Sequence, residues 1–269
     1  MSKSNRVSYK SPNNIFEGDV TNFFSKFIVS ILVGVIIVLM INNYGFKDGK
    51  MVCDNYVLNS YLYVVLSIVI MGISVLLNNK FNLIQKFGMV GFIIAVILTF
   101  VLIFIFHSIN KDDIFNLHLV WTLFFLVFGY TFTMTLMLFR RNNIIYTSIM
   151  LTIMVTVITG LLGYYYGKYI PENIDNYLYG ALILLILVQL FGPLMVNDLD
   201  NFIYLTAFVG LIIFVLLLLS YHKQMRVNAE KCSQDNKLPN YPNESMGLTI
   251  KIVNVLQDIL ILLRGRRRR

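Results

Sequence analysis

The chain has 269 residues, of which 57% are hydrophobic and 13% are charged, with a net charge of +8 and a mean hydropathy of +0.72. A soluble domain is about a quarter charged, and a disordered chain has low hydrophobicity, so this composition excludes both classes. The two cysteines form neither a CxxC motif nor a Cys/His cluster, which argues against a structural zinc site.

Seven apolar segments follow a polar N-terminal tail at residues 1–21. Each is close to the length of about 20 residues that a helix needs to cross the hydrocarbon core. They are predicted at residues 23–41, 61–77, 87–106, 119–139, 144–166, 177–196 and 202–221. Their apolar residues are not confined to one face, and strands of a β-barrel would alternate and be about half as long. We therefore predict a seven-helix transmembrane domain at residues 22–222 with short connections.

The remainder is predicted to be a polar loop at 223–245, a more polar helix at 246–264 and an arginine-rich tail at 265–269. The helix carries charged side chains, and each costs at least about 2.5 kcal/mol at the middle of a membrane. It therefore lies on the membrane surface, re-enters the membrane, or is shielded inside the bundle. The predicted fold class is all-α, a polytopic membrane helix bundle of seven apolar transmembrane helices and a more polar C-terminal helix.

The distribution of Lys and Arg favours a cytosolic N-terminus. If the last helix also crosses the membrane, the arginine-rich tail returns to the cytosol. Cys53, Cys232 and the glycosylation sequon at Asn243 then lie on the lumenal side, where a Cys53–Cys232 disulfide is possible. The alternative topology has a re-entrant last helix and an outward N-terminus.

Polar residues inside predicted spans are candidate functional groups. Gln189 precedes a Gly-Pro pair, which indicates either a kink that lines a pathway or a kink held by a hydrogen bond between helices. Lys251 and Asp258 lie two turns apart on one helix face, with Asn254 between them. They could form an ion pair or a proton-linked gate, although an amphipathic surface helix explains them as well.

Enzyme motifs are not found: the sequence has no glycine-rich phosphate loop, no HExxH and no GxSxG. We therefore expect no enzymatic activity, no cofactor and no nucleic-acid partner. The expected environment is the lipid bilayer.

Three local motifs lie in the last third of the chain. They are AFVG at 207–210, followed by Phe214, then YHKQ at 221–224, and LTIKIVNVL at 248–256. They resemble the glycine-containing start of the sixth helix, the Tyr-Asp-Thr-Gln signature and the opening of the last helix of the Bax inhibitor-1 family, the TMBIM proteins. The residue usage, rich in Asn, Ile, Tyr and Lys, is typical of an AT-rich genome, and large DNA viruses carry such family members.

The resemblance implies a calcium-leak channel that restrains cell death, in the endoplasmic reticulum or Golgi membrane (of a host cell if the protein is viral). Calcium ions and membrane proteins of cell-death pathways are the implied partners. The family gate is a pair of aspartates, whose positions are occupied here by His222 and Lys251. A cationic pair would repel calcium, but Asp258 could pair with Lys251 or replace the missing carboxylate. His222 could confer pH dependence, since histidine titrates near neutral pH.

Two other functions stay open. A non-conducting scaffold that interacts with other membrane proteins would keep the fold without an acidic lining or a continuous pathway. A small-solute transporter would need a cavity at the midplane around Gln189 and Pro193.

Overall fold

A computed structural model describes Val29 and residues 46–47, 50–138, 142–235 and 239–266. The predicted tail at 1–21 and the first predicted span at 23–41 are outside the described residues, apart from Val29. Within the described ranges, seven helices are long and apolar enough to cross a membrane. The prediction of an all-helical membrane bundle is confirmed, while an eighth helix is not.

The helices are α1 Tyr56–Phe81, α2 Leu83–Ser108, α3 Ile114–Leu138, α4 Asn142–Tyr166, α5 Ile174–Phe191, α6 Leu199–Asp235 and α7 Tyr241–Arg266. Two 3-10 helices, Gly167–Tyr169 and Gly192–Leu194, follow α4 and α5. A small antiparallel hairpin of β1 (Phe46–Lys47) and β2 (Lys50–Met51) precedes α1.

The helix that contains the last apolar span is longer than predicted. The sequence suggested a polar loop at 223–245, but α6 continues to Asp235 and α7 begins at Tyr241. Side chains of this extension bind neighbouring segments: Lys223 Nζ donates to the Ile170 carbonyl at 2.7 Å, and Arg226 Nη1 donates to the Tyr164 carbonyl at 2.6 Å. These contacts keep a polar segment helical beyond the apolar part of α6.

α7 lies inside the bundle. It packs against α6, α1, α4 and α3, and 56% of its most apolar window is buried, the largest share among the described spans. By contrast α5 packs mainly on α6, and only 11% of its window is buried. Of the positions considered for the polar last helix, the structure therefore shows the shielded one.

The turn between α1 and α2 is a single residue. Asn82 adopts a left-handed conformation, with φ of 52°, and its N–H donates to the Asn78 carbonyl. Asparagine is one of the few residues that tolerate this region. In α2 the backbone breaks at Gly88, where φ is 54° and ψ is −144°, a conformation that glycine adopts at little cost.

A disulfide joins Cys53, just after the hairpin, to Cys232 in the extension of α6. Cys232 is buried, and the two Cα atoms are 5.7 Å apart. The bond links the start of α1 to the end of α6 across 179 residues of sequence. Both segments therefore lie at one end of the bundle, together with the start of α7; we call this the disulfide end.

This bond gives a simple prediction, because the chain has only two cysteines. Protein unfolded in detergent without reductant should take up no maleimide-polyethylene glycol, and reduction should allow two additions, read as gel shifts. Without reductant, the variant Cys53→Ser should take up one, at Cys232. Two additions to the unreduced wild type would contradict the pairing.

Candidate functional site in the centre of the bundle

Lys251 is a buried cation on α7. Its side chain is 8% exposed, and Nζ donates to the Gly247 carbonyl at 3.1 Å. Nζ also lies 4.1 Å from the centre of the Tyr221 ring of α6, a cation–π distance. The hydrogen bond is within α7, whereas the Tyr221 contact places the ammonium group against α6, where it interacts electrostatically with His222.

His222 is the buried side chain of α6 that faces three neighbouring helices. It is 3% exposed, and its Nδ1 lies 2.8 Å from the hydroxyl of Tyr61 on α1. The two rings are stacked, with centroids 5.8 Å apart. On the side of α4, Gly163 allows close approach, because a Cβ there would lie 2.7 Å from the Cβ of His222. The other ring nitrogen of His222, Nε2, has no hydrogen-bond partner among the described residues.

Asp258 lies two turns beyond Lys251, about 10 Å along the helix at 1.5 Å per residue. It is 8% exposed, and its Oδ2 has no hydrogen-bond partner among the described residues. It faces Gly210 of α6, where a Cβ would lie 2.9 Å from Oδ2. The described parts of the chain contain no Lys251–Asp258 ion pair. Lys251 instead contacts Tyr221 and Gly247, whereas Asp258 occupies the space that Gly210 leaves.

Of the other two predicted pathway residues, Asn254 lies on α7 between Lys251 and Asp258, whereas Gln189 lies apart from the central cluster of His222, Lys251 and Asp258. Asn254 is half-buried, and its Nδ2 donates to the Ile250 carbonyl of its own helix at 2.8 Å. Gln189 is exposed on α5, the helix with the smallest buried share. Because α5 ends at Phe191, Pro193 lies in the 3-10 helix that closes the candidate span Ile174–Leu194, and not at a kink in the middle of that span.

The sequon residue Asn243 lies in the first turn of α7 and is half-buried. The third sequon position, Ser245, is 0% exposed, and its hydroxyl accepts a hydrogen bond from the Trp121 indole at 2.9 Å. In the folded protein the sequon is therefore part of a packed helix start.

A buried polar network at the disulfide end was not foreseen from the sequence. Glu244 is 7% exposed, and its Oε1 accepts hydrogen bonds from the Tyr56 hydroxyl and from Asn228 Nδ2, both at 2.8 Å. The Glu244 carbonyl accepts from the Tyr221 hydroxyl at 3.0 Å. In addition, Tyr241 donates to the Val52 carbonyl. The sequence feature that could have indicated this network is the acidic residue in the first turn of α7, since carboxylates are stabilised near helix N-termini.

A cavity of about 510 Å³ lies between α1 and α4, which make little contact with each other. α6 and α7 contribute His222, Met225 and Ile252 to its lining, and the described lining includes no acidic side chain. Gln189 is not among the lining residues, so this cavity differs from the one that the transporter hypothesis requires. Within the described residues, no group of three His, Cys, Asp or Glu side chains could hold a metal ion.

Comparison with known proteins gives one clear result. No curated protein matches the chain. The family model described as inhibitor of apoptosis-promoting Bax1 matches residues 53–268, which include all seven described helices and the three motifs at 207–210, 221–224 and 248–256. Because the match covers most of the chain, and the helices that carry the central cluster all lie within it, the protein belongs to the Bax inhibitor family of multi-pass membrane proteins.

Proposed function

We propose that this protein modulates calcium leak or cell death from within an intracellular membrane. The observation that carries the proposal is the burial of two ionisable side chains, Lys251 and Asp258, on the central helix. Charges inside a membrane domain are costly and typically mark ion or proton pathways. A helix retained only for packing would be expected to carry apolar residues at these buried positions.

In this proposal the two side chains have opposite effects on a cation. Asp258 supplies a carboxylate with an oxygen that no described group binds, and an oxygen ligand of this kind suits calcium. Lys251 places a positive charge near His222 on the same helix as Asp258, and this charge would repel a calcium ion strongly in a poorly solvated region. We therefore expect a low basal leak that Lys251 restricts and Asp258 supports.

Calcium efflux from proteoliposomes tests this prediction. Relative to wild type, Lys251→Asp should raise efflux roughly tenfold, equivalent to about 1.4 kcal/mol in barrier height. Asp258→Asn should reduce it to the level of protein-free liposomes. The controls are Lys86→Asp and Glu230→Gln, which change exposed side chains.

The outcomes separate the functions. A response of the Lys251 and Asp258 variants with unchanged controls supports a cation pathway along α7. Equal efflux from wild type, the four variants and empty liposomes would contradict it. That result would favour the non-conducting scaffold. The described cavity lining, which has no acidic side chain, agrees with that function.

We propose that the protein resides in the endoplasmic reticulum or Golgi membrane, with the disulfide end in the lumen. The Cys53–Cys232 bond supports this orientation, since disulfides persist in oxidising compartments. The basic residue Arg264, at the opposite end of α7, would then be cytosolic, as the positive-inside rule requires.

A further inference from the structure

We propose that the cavity between α1 and α4 binds a long-chain fatty acid from the bilayer, with its carboxylate at His222. The proposal is independent of calcium leak and concerns a ligand site. It rests on the shape of the cavity, on the unpaired nitrogen at its inner wall and on the charges around it.

The cavity has the form of an acyl-chain site. Its walls are mainly apolar, and those from α1 and α4 include Val64, Ile68, Ile153 and Val157. Ile68, Ile153 and Val157 are 39%, 48% and 54% exposed on the outer surface, so the cavity opens sideways toward lipid. A volume of about 510 Å³ falls within the range of small-molecule sites, and at this size it suits one chain better than a two-chain phospholipid.

The inner wall carries an unsatisfied polar atom. His222 is 3% exposed, and its Nε2 has no hydrogen-bond partner among the described residues, a state that costs about 1–3 kcal/mol. Gly160 of α4 adjoins this ring edge on the cavity side, where a Cβ would lie 3.7 Å from Nε2, so only a residue without a side chain separates the two there. A small shift of neighbouring side chains would admit a head group, and pairing Nε2 would offset the cost of that shift.

One tautomer of His222 suits a ligand that accepts a hydrogen bond. Tyr61 lies 2.8 Å from Nδ1 of His222. If the Tyr61 hydroxyl donates to Nδ1, the ring proton is on Nε2, which then donates to a ligand oxygen. A carboxylate, which only accepts, matches this tautomer.

The surrounding charges favour an anion. Lys251 acts on His222 from α7, and the Arg226 guanidinium lies 5.1 Å from the centre of the Tyr164 ring, which lines the cavity. One carboxylate on each of α6 and α7 is already engaged: Glu230 pairs with Arg226, and Glu244 accepts from two other side chains. The positive charge of Lys251, on the α7 side of His222, would therefore attract an anionic head group.

Binding of tritiated palmitic acid to the purified full chain in detergent tests the proposal, with hexadecanol and methyl palmitate as competitors. We expect saturable binding of one palmitate per protein and at least tenfold weaker competition by the two neutral ligands. Non-saturable uptake would overturn the proposal, and equal competition by hexadecanol would overturn the carboxylate assignment.

Variants locate the site. Thr156→Phe, which fills the cavity, should abolish binding, whereas Ile183→Phe, on the exposed face of α5, should not. His222→Asn places an amide near Nδ1 and loses Nε2, so binding should weaken at least tenfold. His222→Gln places its amide near Nε2 and should bind within threefold of wild type. Equal binding of palmitate by the Thr156 and Ile183 variants would contradict this location. The competition of palmitate with the two neutral ligands uses only the wild-type protein, so it tests the proposal even if a variant fails to fold.

Discussion

The substitution Gly163→Leu is expected to disrupt the packing of α4 against α6 and so to destabilise the folded protein. A Cβ at this position would lie 2.7 Å from the Leu219 carbonyl oxygen and 3.2 Å from the Lys223 backbone nitrogen. These are backbone atoms of a long helix and cannot move aside as a side-chain end can. We expect a loss of about 3 kcal/mol or more, at the upper end of overpacking effects, visible as a fall in the thermal unfolding temperature in detergent.

The matched control is Gly180→Leu in α5. A Cβ at Gly180 would have no atom within 4 Å, so this variant changes helix propensity without a clash. It should unfold at or above the wild-type temperature, since leucine favours a helix by up to about 1 kcal/mol over glycine. If the two variants unfold at the same temperature, the close approach of α4 and α6 is not required.

The second large effect is expected from Glu244→Ala. The change leaves the Tyr56 hydroxyl and Asn228 Nδ2 without their shared acceptor at the disulfide end. An unpaired buried donor such as the Tyr56 hydroxyl costs about 1–3 kcal/mol and the half-buried Asn228 amide costs less, so we expect a destabilisation of roughly 3 kcal/mol in the same unfolding measurement.

Two variants show whether the effect comes from this network. Glu244→Gln keeps an acceptor oxygen and should recover at least half of the lost stability. Glu230→Ala removes an exposed carboxylate that pairs with Arg226, so its cost should be below about 1 kcal/mol. A cost for Glu230→Ala as large as that for Glu244→Ala would indicate a general charge effect and contradict the proposed role of the buried acceptor.

The spans could be predicted because lipid imposes a length and a composition on any helix that crosses it. The apolar segments predicted after residue 60 all correspond to helices, with ends that differ by several residues. The differences have local causes. α2 begins before the predicted residue 87 because a helical turn forms ahead of the break at Gly88, and α6 extends past 222 because Lys223 and Arg226 bind carbonyls outside the helix.

The central cluster was predictable in part. Lys251 and Asp258 could be selected because ionisable residues in spans are rare, and His222 because it occupies the position of a family aspartate. Their partners could not, since Tyr61 and Gly210 are ordinary residues in apolar helices and gain their roles through contacts distant in sequence. Glu244 was assigned to a polar loop because the sequence alone did not show that the loop folds as the start of α7.

The position of α7 has a consequence for biosynthesis. The helices that surround it precede it in the chain, so they leave the ribosome and enter the membrane before their common centre exists. Until α7 arrives, Ser67 lacks the hydroxyl of Thr249, 2.6 Å away in the finished fold, and the Trp121 indole lacks Ser245. The bundle can therefore close only after residues 241–266 have been made. A chain interrupted before α7 would leave membrane helices with unpaired polar groups, the condition that membrane quality control detects.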